Sequence, residues 1–496
     1  MKRYITMILP VFLLSLLFTG CNKDEPEPDP PAEIKEATDV NKFIYNSLAT
    51  YYLWEENIPA LNNPKYENSD SLNAFLNRYT DPEALFDALL YTKDRWSFIV
   101  DSAEEIENWI NAISESVGMD FRLYYISSSS NNLIGVIRYV LKGSPAEQAG
   151  LKRGDMFMTV NGQQLTDANY MTLLFTMKSY TLGLASFNGG APAPDGRTVN
   201  LTAVLLQENP VYLDSVLNIN GTKIGYLLYN GFTSSYDSII KSSYDIELNK
   251  AFGRFKSEGI QKLILDLRYN GGGSITTSQY LASMIYSTDT RKIFSISHYN
   301  DLLQAYFRQE YGEEVFNDYF YSTISATDKM PATPINSLGL DQVYIITTSE
   351  TASASEMVIN GLKPYMTVIQ VGTNTTGKYV GSITITDTDN NGIVNPNHTW
   401  AMQPIIVKIS NSQNVSDFDD GLTPDINTRE YASELLPFCD PQEPFFKACI
   451  NHMQGLKSAQ VDKGVDLKGF KSSDDLSPMA KTIIMDNILP GNLSWK

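Results

Sequence analysis

The sequence predicts a multidomain α/β protein, and three observations carry that prediction. The chain has 496 residues, too many for a single hydrophobic core. Lys262–Leu267 (KLILDL) is a nearly continuous apolar strand that runs into three glycines and a helical stretch, Thr276–Tyr286. A strand of that kind belongs in the middle of a sheet covered on both faces. Val343–Gly381 then reads as strand, turn, helix, strand and loop.

The N-terminal 21 residues read as a targeting segment. Lys2 and Arg3 precede an apolar run, Tyr4–Phe18, that is short for a membrane span. Leu17-Phe18-Thr19-Gly20-Cys21 resembles a bacterial lipobox, which implies a lipidated Cys21 and a membrane partner through that anchor. An ordinary secretory leader with an incidental cysteine remains open. Residues 22–36 form a proline-rich acidic tether with little apolar surface to bury. Within it Lys23-Asp24-Glu25 resembles the surface-export signal of Bacteroidetes lipoproteins. The implied location is the cell envelope, on an outer-membrane lipoprotein facing periplasm or exterior.

Residues 37–112 read as a small helical domain. Phe43, Ile44, Leu48 and Tyr52 recur with helical spacing over Val40–Leu53, and Asp81–Leu90 repeats the pattern, with Trp54, Trp96 and Trp109 adding bulk. The balance of 38 basic against 57 acidic residues, a formal charge of −19, argues against nucleic acid as a partner. Cys439 and Cys449 lie ten apart; in an exported chain they could form a disulfide, and they are not a metal site, since no further ligands stand at useful spacing.

The chemistry is expected in Val343–Gly381. Val343–Thr347 and Thr367–Val371 are strands, Ser353–Leu362 has helical spacing, and Pro364 ends that helix. Ser353 therefore stands at a helix N-terminus, where backbone N–H groups supply the raw material of an oxyanion hole. Gly372–Gly381 is a loop of small polar residues that offers one lysine, Lys378, with no acid near it in sequence. A serine hydroxyl needs a base, and a lysine is one only when neutral. Burial can lower an amine from about 10.4 toward neutrality, roughly three pK units costing about 4 kcal/mol. The same residues also fit N-capping serines and a solvated lysine.

TASASE at Thr351–Glu356, with a Gly-Lys whose lysine lies 25 positions after the first serine, resembles the C-terminal processing (tail-specific) serine peptidases. The resemblance implies a crotonase-like (ClpP/crotonase) βα core over residues 208–435, with Ser353 as nucleophile and Lys378 as general base. It also matches Leu267-Arg268-Tyr269-Asn270-Gly271-Gly272-Gly273 to a family element whose last glycine donates one oxyanion N–H. Carried over, the donors are Gly273 and Ala354. Where many members have a lysine-orienting glutamine, this chain has Ser382.

Residues 113–207 resemble a PDZ domain through GSPAEQAGLKRGD (Gly143–Asp155). In that module the loop Gly118-Met119-Asp120-Phe121, before a strand over Arg122–Ile126, would bind a peptide's terminal carboxylate while the peptide adds to the sheet edge. A purely structural PDZ is the alternative. Gly189–Asp195 reads as a loop between its last strands, and Tyr236–Ser257 as a long, largely helical stretch. Thr386–Val394 superficially resembles an EF-hand start, but position 12 would be His398, so a hairpin turn is expected. Residues 436–496 form a C-terminal extension with a helix around Pro444–Lys457 and an amphipathic end, Ser477–Ile488.

The function implied is an exported serine endopeptidase acting on protein or peptide substrates without cofactor. Two rivals are weighed: a Ser-His-Asp site recruiting His298, His398 or His452, and a non-catalytic peptide- or ligand-binding lipoprotein, since the same fold serves retinoid-binding proteins without proteolysis.

Overall fold

The computed structural model describes residues 35–473 apart from 111–112, 189, 237–241, 328, 390, 434, 457–463 and 466. The leader with Cys21 and the amphipathic end Ser477–Ile488 lie outside the described residues. Among the described residues no helix is long and apolar enough to cross a membrane.

Helix α1 (Asp39–Tyr51) starts where Thr38 caps the Asn41 N–H at 3.3 Å. Its Phe43, Ile44 and Leu48 pack with α2 (Ser69–Leu76) and α3 (Pro82–Ala88) into one aromatic-rich cluster. The helical periodicity of the sequence is thus the buried stripe of a three-helix unit.

A second unit is built on β1 (Met119–Tyr125), β2 (Leu133–Val140), β3 (Met156–Val160), the short helix α4 (Tyr170–Phe175), β4 (Ser179–Asn188) and β5 (Ala191–Thr202). The sheet runs β1-β2-β3-β4-β5, and α4 packs Leu173 and Leu174 on its core. The loop expected over Gly189–Asp195 is instead mostly strand. Asn188 pairs with Ala191 and Ala185 with Pro194, and β5 is the edge strand, where prolines cost no ladder bond to a further neighbour.

The third unit holds a six-stranded sheet. Its strands are β6 (Val211–Ile219), β7 (Thr222–Tyr229), β8 (Lys262–Asp266), β10 (Gln342–Thr347), β11 (Thr367–Gly372) and β14 (Ile426–Asn427), in that order across the sheet. All neighbours but β6 and β7 run parallel. Leu227, Leu263, Leu265, Val343 and Ile345 face a large cluster formed with helices α5 (Ser243–Glu258), α6 (Ile275–Ile285) and α7 (Ala354–Leu362). Tyr226, Leu228, Ile264, Tyr344 and Ile346 face the other way, onto Phe445, Phe446 and Cys449 of α8 (Pro444–Met453). Both faces are covered, which is why the strands read as unbroken apolar runs. Helix α5 begins at Ser243, later than the expected Tyr236.

A second, antiparallel sheet orders Asn317–Tyr319, β9 (Ile293–Tyr299), β13 (Ile405–Asn411) and β12 (Val380–Ser382). The expected loop Gly372–Gly381 therefore ends inside a strand, because Val380 pairs with Lys408 and Gly381 with Val407. Thr388 bridges Val394 across a turn at Asp389, and His398 bonds Asp387 at 3.0 Å.

Cys439 and Cys449 are free thiols, so the structure shows no disulfide between them. Each is held within the apolar cluster under α8, one on a loop at φ 63° and the other on the helix. Burial pushes both thiols up, Cys439 to about 12. After α8 the strand β15 (Gly469–Ser472) returns to the second unit and pairs antiparallel with β1.

Candidate active site

Ser353 sits between β10 and α7 with φ 66° and ψ −118°, a conformation that side-chain-bearing residues rarely adopt. Such a backbone costs on the order of 1–3 kcal/mol and must be held by its surroundings. Glu356, one turn into α7, does much of the holding: its Oε2 accepts the Ser353 N–H at 2.8 Å. The same oxygen accepts the Lys378 N–H at 2.8 Å, while Oε1 accepts Gly377 N–H at 2.7 Å and the Thr375 hydroxyl at 2.5 Å. Burial raises the Glu356 carboxyl, and these four donors oppose that shift.

Lys378 is 1% exposed. Burial lowers its amine to about 7, against the opposing pull of Asp94 and Glu356. Its Nζ stands 5.1 Å from the centre of the Trp96 ring, contributed by the N-terminal unit. Arg95 beside it reaches the Gly377 carbonyl at 3.3 Å. Asp94 is fixed in turn by Tyr52, Ser97 and the Trp96 N–H. Ser353 and Lys378 line one small cavity together with Met357 and Ser410. Within it the Ser353 hydroxyl is buried and makes no hydrogen bond with any described residue, Lys378 included.

The glycine turn lies against the serine. A Cβ on Gly272 would come within 2.8 Å of Ser353 Oγ, and one on Gly273 within 2.5 Å of the Phe232 carbonyl oxygen. Both glycines have left-handed φ, 112° and 134°, so no larger residue fits on either count. Phe232 donates to the Gly272 carbonyl and accepts from Ser274 N–H, each at 2.8 Å. That pattern turns the Gly273 N–H away from Phe232, and it has no acceptor among the described residues. Ala354 is the first residue of α7, so its N–H has no intrahelical partner. Asn270 fastens the two turns together: its side chain accepts Gly272 N–H at 2.9 Å and its carbonyl accepts from Ala352 N–H and Ser355 Oγ, each at 3.1 Å.

A larger cleft of about 590 Å³ runs from Gly118–Phe121 to Gly271–Gly273, past Glu350 and Glu208. Burial raises the Glu208 carboxyl to about 7. Asp120 is ion-paired with the buried Arg138, which also binds Glu350 on the turn leading to Ser353; Arg122 reaches Glu350 at 2.6 Å.

Ser382 donates its hydroxyl to Gln403 Oε1 at 2.6 Å, both side chains being buried. A glutamine thus stands beside Ser382, from a strand (Ala401–Gln403) that sequence spacing gave no reason to bring there. Glu356 and Asn270 join the site from inside the recognised motifs, while Trp96, expected only as bulk of the helical domain, and Asp94 carry no local signal of a place in it. The histidines are engaged elsewhere: His298 with Ser410 Oγ, His398 with Asp387, and His452 with the Tyr344 hydroxyl.

Three family profiles match the chain: Peptidase family S41 over residues 223–428, Peptidase S41 N-terminal domain over 39–98, and PDZ domain over 136–171. A carboxyl-terminal-processing protease of Picosynechococcus is 24% identical over 239 residues, 48% of this chain and 49% of that one. Carboxyl-terminal-processing peptidase 3 of Arabidopsis thaliana is 23% identical over 314 residues, 62% of this chain and 51% of that one. The chain spans about half the length of these two relatives. A crystal structure described as an S41 protease of Bacteroides fragilis superposes with TM-score 0.65 at 27% identity, covering 87% of this chain and 98% of that one.

Proposed function

From the membership of this chain in peptidase family S41, with its PDZ domain and S41 N-terminal domain, we propose that it is a serine endopeptidase of the C-terminal processing type. The observation that carries the reading is the Lys378 amine, buried, lowered to about 7 and sharing a cavity with the Ser353 hydroxyl. Neutral Lys378 takes the proton of Ser353 as its oxygen attacks a peptide carbonyl, then hands that proton to the leaving amine. The Gly273 and Ala354 N–H groups receive the charge that develops on the carbonyl oxygen, and water releases the acyl group. One such donor is worth on the order of a hundredfold or more in rate.

The substrates of this reading are extended protein or peptide segments that reach the glycine turn through the 590 Å³ cleft. The hydroxyl of Ser353 and the amine of Lys378 must close to hydrogen-bond distance when a substrate is bound, since resting hydrogen bonds of this kind are often loose. Export and lipid anchoring through Cys21 complete the proposal and rest on the leader sequence alone.

The test is cleavage of an unstructured protein by wild type, Ser353→Ala and Lys378→Ala. Loss of activity in both variants supports the dyad; equal activity in all three removes it. An intact substrate with every form, at any pH, would favour the peptide-holding alternative, to which the unbonded Ser353 hydroxyl lends its own support.

A further inference from the structure

We propose that the PDZ groove binds an extended internal chain segment carrying an aromatic side chain, and that its resident occupant is this chain's own Lys468–Ser473. Without β15, strand β1 is the outermost strand of its sheet, the edge to which a peptide adds in such a module. β15 fills that edge. Gly469 pairs with Tyr124 and Ser472 with Arg122; the Tyr125 N–H reaches the Lys468 carbonyl, and the Ser473 N–H the Phe121 carbonyl, each at 2.9 Å.

The side chains follow the same logic. Phe470 stands edge-on between Tyr125 of β1 and Tyr170 of α4, with ring centres 5.3 and 5.1 Å away, so it enters the space between the edge strand and the helix. Gly118–Phe121, expected as a loop, is instead Gly118 followed by the first residues of β1, paired with β2, and where the segment reaches it no anion is received. Ser473 Oγ instead accepts the Phe121 N–H at 3.2 Å and donates to Asp120 Oδ2 at 2.8 Å. A terminal carboxylate at that position would face the Asp120 carboxylate, whereas a neutral hydroxyl satisfies it. The sequence also runs on beyond Ser473, so the occupant is an internal segment and not a chain end.

The attachment is built to be displaced. β15 takes three steps, from Gly469 to Ser472, for the two steps from Tyr124 to Arg122, so the ladder is interrupted by a bulge. What keeps it in place is tethering: a covalently linked segment acts at an effective concentration on the order of millimolar. A free peptide of the same chemistry competes against that concentration.

The inference goes beyond the peptidase reading and does not rest on it, because its test uses the full chain with Ser353→Ala. The probe is a fluorescent, C-terminally amidated peptide of residues 467–473 (LKGFKSS). Phe470→Asp in the chain releases the tethered segment, so the peptide binds that form at least tenfold more tightly than the parent. The free-acid peptide binds within threefold of the amide. A second measurement needs no change in the groove: saturating peptide added to the parent raises amide hydrogen exchange of residues 468–473 several-fold while β7 and β8 stay protected. Equal affinity for the two chains, a free acid more than tenfold tighter than the amide, or unaltered exchange at 468–473 overturns the proposal. Peptide binding by the Ser353→Ala chain, with no cleavage of an unstructured protein by wild type, upholds the groove assignment while removing the peptidase one.

Discussion

Ser353 and Lys378 hang their backbone N–H groups on the same oxygen, Oε2 of Glu356, each at 2.8 Å. One buried carboxylate therefore sets the strained turn of the serine and the loop of the lysine relative to each other. Glu356→Gln keeps the size but presents an NH2 group to donors that need acceptors. We expect kcat to fall by ten- to a hundredfold with KM nearly unchanged, and stability to drop by about 1–3 kcal/mol, as for buried groups left unsatisfied. Steady-state kinetics on an unstructured protein and a thermal melt check both. A pure loss of stability with unchanged kcat would leave Glu356 no part in positioning.

Lys378 gives a pH dependence with a definite sign. Its folded-state value is about 7, well below the ordinary value near 10.4, so the amine is charged and unable to act as base below neutrality. The cleavage rate kcat/KM should rise with pH along a limb centred near 7. The stability sign follows from the same shift. Between about pH 7 and 10 the unfolded chain binds the proton and the folded chain does not, so the stability of wild type rises with pH across that window. Below pH 7 the folded state carries a buried charge at a full cost of a few kcal/mol. Lys378→Met should therefore be more stable than wild type at neutral pH by that amount, the gap closing by about pH 10. A flat difference across the range would place the amine in water.

Gly272 has no room for a methyl group. Gly272→Ala puts a carbon 2.8 Å from Ser353 Oγ at φ 112°. We expect cleavage to fall at least a hundredfold. Far-ultraviolet circular dichroism should show the fold retained, because the glycine stands at the margin of the core and not within it.

Arg138 is buried between Asp120 and Glu350. Arg138→Met fills the volume but leaves Asp120 without a cation and Glu350 with Arg122 alone, which should cost about 3–5 kcal/mol. The urea midpoint should fall accordingly at pH 7 and recover in part at pH 4, where carboxylates take up protons.

Two free thiols are expected besides any at Cys21. A maleimide should label Cys439 and Cys449 only after denaturation, since burial raises both thiols, and a reductant should leave the melting temperature unchanged.

The strands and helices of the core were legible because their periodicity is local: KLILDL became β8, and Val343–Thr347 falls within β10. Ser353 was legible as a serine at a helix start, whereas Gly273 and Ala354 were named only through the motifs that resemble the family's. The loop expected over Gly189–Asp195 failed because two prolines read as turn residues, while an edge strand tolerates them.

What the order of residues determined by itself is the set of chemical groups: a serine at a helix start, a lysine on a loop, glycines where the backbone must pass closely. What only the folded chain decided is their environment. Trp96 and Asp94 come to Lys378 from some 280 positions away, Gln403 comes to Ser382 from another strand, and Phe470 comes to β1 from the far end of the chain. Burial and electrostatic neighbours depend on distances in space, and a pKa near 7 is a property of that surrounding volume, which no run of adjacent letters encodes.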